Sequence, residues 1–536
     1  MQGFFRCSLV LFVLAACGSG VFLSCVQQNI PAMNSGANYM YPASVHKVEL
    51  NSAGYGVLRL EGLKSGSNVY LSRVNASRVE YSTNVVSTEA PADSERLAEG
   101  TRTPTGVITM PDGEKRVMYE RHWQVMPPDD DTPLANRSMV SPSVTATVGS
   151  MKSFYVDVSS ATITAKLEKI GKYCKIWVDT KLGTYTFNVN TLADKFDEIY
   201  PIETSLVGYE YGGGPGGDGG VDGDPLIQIL VYDIDSDGSG GTTMGYFYPG
   251  DEYQRGRTYP YSNETEIFYL DSRFLSNDTD KIYSTLIHEF NHMINFNVKV
   301  IQGGQIRVWN NETWYTEMLS MLAEDVVWPI LSGNSSESLV IGMRIPSWRS
   351  NYDKSSVMYW PPANTDAGPY YAANYAFGAY LVRNFGGVPL FSAIAKSHAG
   401  GRASIDGSLR AINMEPNIDV TYALERFGET LVYFENVPEN VYSFNKTLSE
   451  TLRADDGKDY TYRFSAFDIR NVRTVNASTD TPKVFDFKDM GQTPMPFNTV
   501  QIFQDDSWTA GKITDGRLDI QFLNVDTSAK YFVLVK

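Results

Sequence analysis

Cysteine and histidine are scarce in this chain of 536 residues, with four and five copies respectively. Three of the four cysteines, Cys7, Cys17 and Cys25, fall in the first 25 residues, leaving Cys174 alone in the body of the chain. A disulfide framework is therefore excluded, and Cys174, within the apolar run KYCKIWVD, reads as a core thiol. Basic excess is also lacking: 45 Lys and Arg against 62 Asp and Glu give a net charge of −17. Such a chain is poorly suited to nucleic acid or to an anionic membrane surface. No repeat of 20–50 residues is evident, and after the N-terminus no apolar stretch approaches membrane length.

The first 25 residues stand apart. After Arg6 comes the apolar run SLVLFVLAA (8–16), whose last three residues with Cys17 read Leu14-Ala15-Ala16-Cys17. The run is short for a membrane span and suits an export signal. The Leu-Ala-Ala-Cys stretch resembles the cleavage box of bacterial lipoproteins. Lipidation at Cys17 is expected, with Cys25 as the alternative, and with it location at the bacterial cell envelope or surface. The membrane would then be met through the lipid only.

What is present is typical of a folded protein: 42% apolar residues, with 33 Tyr and 45 Gly pointing to strands and turns. Short runs of β-formers such as VHKVEL, YGVLRLEGL and SNVYLSRV fill the first part after a polar tether. Around residue 166 the pattern changes to buried strands (CKIWVDT, LIQILVY, EIFYLD) alternating with helix-like segments. After about 440 strand patterning returns through to KYFVLVK. The expected organisation is a signal in 1–25, a β-module in 26–165, a mixed domain in 166–438 and a second β-module in 439–536. The fold class is α+β.

Two of the five histidines sit in STLIHEFNHMINF as His288-Glu289-x-x-His292. On a helix, positions i and i+4 share a face, so both imidazoles reach one ion. Glu289, beside them, is placed to take a proton from a metal-activated water. A catalytic zinc needs a third protein ligand and an open position. The metzincin pattern would require Gly at 295 and His at 298, and the chain has Asn295 and Val298. The expected ligand is therefore a carboxylate on the next helix, WYTEMLSMLAEDV. Glu317 leads, with Glu312, Glu324 and Asp325 as alternatives. Glu324, seven residues beyond Glu317, has a second use: accepting the outer N–H of a ligand histidine.

The segments IHEFNHMINF and WYTEMLSMLAED, with KIWVDT, PLIQILVYDID and GYFYPGDEY upstream, resemble the gluzincin peptidases, most closely the hyicolysin-type bacterial metallopeptidases. The likeness covers about residues 170–390. It implies a zincin-like domain flanked by all-β modules, zinc on His288, His292 and Glu317, Glu289 as base, and protein or peptide substrates. Tyr315-Thr316-Glu317-Met318 departs from the Leu-Asn-Glu-Gly usual in the family. YAFGAYLVRNF is similar to the Tyr-x-Lys-Gly-Ala segment of alanyl aminopeptidases, which implies an oxyanion role for Tyr375, with Phe377 in place of the Lys. The Gly-x-Met-Glu-Asn stretch by which those enzymes capture a free amine is absent, so endopeptidase action is expected. The alternatives are an aminopeptidase and a non-catalytic adhesin on a peptidase scaffold.

Asp233, Asp235 and Asp237 match the first half of a calcium loop, but Met244 occupies the twelfth position and excludes an EF-hand. A looser Ca2+ site on these three remains an expectation beside a plain acidic turn. A second acidic cluster, Asp218, Asp222 and Asp224, lies on the glycine-rich stretch 212–224. It reads as a flexible loop first and a calcium site second. The strand between the clusters spans about 23 Å at ~3.3 Å per residue, so they would not share an ion.

Overall fold

In the computed structural model the described residues are 43–64, 66–76, 101–109, 115–126, 146–156, 161–234, 241–275, 279–333, 338–362, 365–434, 440–472, 481–491, 493, 495–513, 516–523 and 525–536. Cys17, Cys25, Asp235 and Asp237 lie outside them. The first strands are β1 (Ser44–Lys47), β2 (Gly56–Glu61), β3 (Val69–Asn75), β4 (Thr101–Thr109) and β5 (Lys115–His122). β6 (Met151–Tyr155), β7 (Thr162–Ile170), β8 (Cys174–Asp179), helix α1 (Val189–Val207), β9 (Ile227–Tyr232), β10 (Gly241–Thr242), β11 (Gly245–Phe247) and β12 (Ile267–Asp271) follow. Helices then dominate: α2 (Ser272–Leu275), α3 (Thr279–Phe296), α4 (Ile306–Asn311), α5 (Thr313–Leu331), α6 (Leu339–Asn351), α7 (Gly368–Phe385), α8 (Gly387–Lys396), α9 (Gly401–Asn413) and α10 (Val420–Arg426). The chain closes with β13 (Leu448–Arg453), β14 (Asp459–Phe464), β15 (Phe485–Asp486), β16 (Thr499–Gln504), β17 (Arg517–Phe522) and β18 (Lys530–Val535).

The all-buried strands CKIWVD, IQILVY and IFYLD form the parallel centre of a six-stranded sheet, ordered β11-β12-β9-β8-β7-β6. Strands buried on both faces carry apolar residues without alternation, and parallel neighbours need a crossover. Helix α1 makes that crossover between β8 and β9. It is started by Asn188, whose side chain accepts from Asn190 N and Thr191 N. The outer strands β11, β7 and β6 run antiparallel to their neighbours. Cys174 is fully buried at the start of β8, and burial pushes its thiol pKa up.

Helix α3 leaves β12 through α2 and packs on α1, on edge strand β11 and on α5. Its apolar positions Ile282, Leu286, Ile287, Phe290, Met293 and Ile294 are all buried. After Phe296 it widens into a π-turn, Asn297–Gln302. Lys299 in that turn is buried and donates to the carbonyls of Ile394, Ala395 and Ser397, at 2.7, 2.8 and 2.6 Å, at the C-terminus of α8. The end of α3 is thereby fixed to the helical half.

The terminal β segments are not two separate modules. β1, β18, β3, β16 and β15 form one sheet in that order, and β2 pairs with β17. Their core mixes Val48, Leu60, Val69 and Leu71 with Phe503, Trp508, Ile520, Phe522 and Val533. Strands β6 and β7 instead join the central sheet, and the β13–β14 hairpin packs on α5 and α8. Period-2 patterning specifies that a strand forms but not which strand it pairs with. No helix among the described residues is long and apolar enough to cross a membrane.

Candidate metal centre

Helices α3 and α5 present three side chains to one point. His288 Nε2 and His292 Nε2 lie 3.1 Å apart, and each is 3.2 Å from an oxygen of Glu317. Zinc bonds of about 2.0–2.1 Å in tetrahedral geometry set neighbouring donor atoms about 3.3 Å apart. Two imidazole nitrogens and one carboxylate are the donor types zinc prefers, and with three protein donors a fourth position stays open for water. The residues therefore fit the ion. Among the described residues this is the cluster of three such side chains that could hold a metal.

The electrostatics suit a cation. Glu317 is fully buried. Burial alone would raise its pKa, but His292 and His288 outweigh it and hold the carboxyl well below its usual range. Burial disfavours the charged form of His288, yet Glu317 and Glu324 reverse this and raise it well above its usual value. His292 stays lowered, because burial dominates there.

Glu324, two turns after Glu317 on α5, accepts from His288 Nδ1 at 2.8 Å and from the hydroxyl of Ser284. Holding Nδ1–H in this way turns the Nε2 lone pair toward the donor cluster. Glu289 is buried under the edge strand. A Cβ at Gly245 of β11 would stand 3.3 Å from Glu289 Cγ and 2.9 Å from Thr285 Cγ2. The missing side chain at Gly245 is what lets helix and strand approach so closely.

The wall beside His292 is aromatic. Trp309 of α4 meets the His292 ring edge-on at 6.4 Å and also contacts Phe296 and Phe247. Next to it, the Asn310 side chain bonds both backbone groups of Val125, at 2.7 and 2.8 Å. Trp123 lies on Tyr246 and Tyr248, so the segment after β5 runs along the edge of this site.

Tyr375 is placed elsewhere. Its hydroxyl donates to Asp325 Oδ2 at 3.0 Å, and Asp325 is paired with Arg383 at 2.9 Å, all three fully or almost fully buried. The structure thus commits Tyr375 to a buried ion pair and does not bring its hydroxyl to the donor cluster. Asp325 stands in this same network and not with the donors. Glu312 precedes α5, and its carboxylate meets Gly401, away from the histidines. Asp233 pairs with Arg273 at 3.1 Å. Asp224 is held by Lys175, and Asp218 accepts from Gly220 N.

Two residues escaped the sequence reading. Glu203 of α1 is completely buried and faces Asn291, between the two histidines. Asn291 in turn accepts from Asn295 and Ser320, joining α1, α3 and α5 behind the donors. Arg383 is the other, and a lone Arg within the apolar run AYLVRNF was the available signal.

Residues 183–447 match the peptidase M30 family, a span that contains both α3 and α5. The neutral metalloprotease ShpI of Staphylococcus hyicus is 28% identical over 284 residues, which is 50% of this chain and 58% of that relative. The chain thus spans less than two thirds of the relative's length.

Proposed function

Since residues 183–447 belong to the peptidase M30 family and are of the hyicolysin type, we propose that the chain is a zinc-dependent metalloendopeptidase with a zincin-like catalytic domain, acting outside the cytoplasm on proteins or peptides. The observation that carries this reading is the convergence of His288, His292 and Glu317 on one point, with Glu289 between the two histidines.

His288 Nε2, His292 Nε2 and a Glu317 oxygen would hold the ion. When bound, zinc lowers the pKa of a water toward neutrality and polarises a carbonyl. Glu289 takes the proton of the attacking water and passes it to the leaving nitrogen. Glu289 is buried, so its carboxylate stands beside the donor cluster and out of bulk solvent. Glu324 fixes the His288 tautomer. Edge strand β11, the last in the sheet, offers backbone groups to an extended substrate strand.

The deciding experiment compares the parent with Glu289→Gln and Glu317→Ala on internally quenched peptides with blocked termini, alongside metal analysis. About one zinc per chain is expected in the parent and in Glu289→Gln, and a large loss of zinc in Glu317→Ala. Hydrolysis by Glu289→Gln should fall by about two to four orders of magnitude. An adhesin on a peptidase scaffold would show no hydrolysis by the parent, and an aminopeptidase would spare blocked peptides and trim free N-termini. Either result sinks the endopeptidase reading.

A further inference from the structure

We propose that the glycine-rich loop between α1 and β9 closes over a second cation site, in which the carboxylates of Glu210 and Glu266 and carbonyls of the loop hold a calcium ion. The stretch 212–224 contains eight glycines in thirteen residues and folds back on itself, with the Gly219 N–H donating to Gly212 O at 3.0 Å. Gly212 and Gly220 both take positive φ, at 71° and 68°, and a Cβ on Gly212 would collide with the Gly220 backbone. The loop wraps around two acids. A Cβ on Gly213 would collide with the Glu210 carboxylate, and one on Gly220 with that of Glu266. Only residues without side chains leave room for those groups beneath the backbone.

Both carboxylates are buried, with 3% and 2% of the residue exposed. Each has one satisfied oxygen: Tyr200 donates to Glu210 Oε1 at 2.7 Å, and the Val221 N–H donates to Glu266 Oε1 at 2.8 Å. The second oxygen of each, Oε2, is buried without a hydrogen-bond donor. An ionised carboxylate in that state is costly, and two within one another's field more so. Burial accordingly pushes Glu210 up to about 7 and Glu266 well above the carboxylate range, Asp222 and Glu210 adding to the latter.

The nearby lysines do not compensate these two acids. Lys175 is paired with Asp224. Lys152 is felt by Asp222 and Asp251. Lys396, which lines the same 390 Å³ cleft as Glu210, gives its Nζ to Ser205 O at 2.9 Å. Among the described residues no lysine or arginine is paired with either carboxylate, and the two carboxylates with carbonyls of the curved loop would offer oxygen donors alone. That is the donor set of a hard divalent ion of calcium size rather than of zinc. The ion would also brace the π-turn that follows α3, because Tyr209 O, beside Glu210, accepts from Asn297 at 2.8 Å. The site is independent of whether the histidine cluster hydrolyses peptides.

The test uses the full chain, stripped of calcium on a chelating resin with zinc restored, and titrates it with CaCl2 by calorimetry and by thermal unfolding. The parent should bind one ion with a dissociation constant below about 1 mM, in the range of extracellular calcium modules. Its Tm should rise by about 1 °C or more at tenfold excess of calcium over the dissociation constant. Glu210→Gln and Glu266→Gln should each weaken binding at least about tenfold, the effect of removing a charged ligand. Both should unfold at the same or a higher temperature than the parent in calcium-free buffer, because a neutral amide replaces an uncompensated acid. The second variant guards against one failing to fold. Absence of binding by the parent up to about 10 mM calcium, above the weakest such modules, would overturn the site, as would undiminished binding in both variants.

Discussion

At the scale of single residues, the contrast between Glu317 and Glu324 shows how one helix face divides the labour. The two are seven residues apart on α5, so both face α3, but Glu317 meets the inner Nε2 atoms and Glu324 the outer Nδ1 of His288. Spacing made both legible, since helical periodicity alone fixes which side chains can share a face. Tyr375 was legible only through a motif, and a motif does not say where a hydroxyl points. Its partner Asp325 is fifty residues away in sequence, and nothing local links them. The same logic gives a prediction for Glu324. Replacement by Ala should weaken zinc affinity by about 10–100-fold, the usual effect of losing a carboxylate behind a ligand histidine. Glu324→Gln should recover much of that, because its amide oxygen still accepts from Nδ1–H. Competition with a zinc chelator measures both, and unchanged affinity in the Ala variant would remove Glu324 from the positioning role.

At the scale of elements, the join between α3 and α8 rests on one lysine. The Lys299 ammonium has three hydrogens and meets three carbonyls at a helix C-terminus, where the helix dipole favours positive charge. Burial nevertheless pushes its pKa down to about 7, from the 10.5 of an exposed lysine. Between about pH 7 and 10 the unfolded chain therefore binds more protons at this position than the folded chain does. By linkage this group's contribution to stability rises with pH across that window and is least favourable below it. Lys299→Met should abolish that slope. It should also destabilise the protein by about 2–4 kcal/mol, since buried carbonyls lose their donor. Urea unfolding of both proteins at pH 7 and pH 9.5 tests this. Equal pH dependence in parent and variant would show that Lys299 stays protonated throughout. The sequence could not reveal the joint, because Lys299 is surrounded by apolar residues of a turn whose partner lies almost a hundred residues on.

At the scale of the whole molecule, the last strands return to the first described ones. The apolar alternation of the terminal strands announced β structure at both ends, and it is present. Which strands pair is a tertiary matter, and here pairing joins the first described strands to the last. β1 has β18 as its one neighbour in the sheet, β2 has β17, and β3 lies between β18 and β16. Tyr433, just after the helical half, locks the arrangement by donating to Val535 O at 2.9 Å and reaching Ser44 O at 3.1 Å. Strands without neighbours expose unpaired backbone groups and are marginal alone in water. Deleting residues 517–536 should therefore release a region at the opposite end of the sequence. Hydrogen exchange on the truncated protein should find β1 and β2 unprotected, and β3 weakened but still held by β16. Strands β8, β9 and β12 should keep their protection, because none of their partners has been removed. If β1 and β2 remain protected after the deletion, the N-terminal strands stand as a module of their own and the shared sheet does not govern their stability.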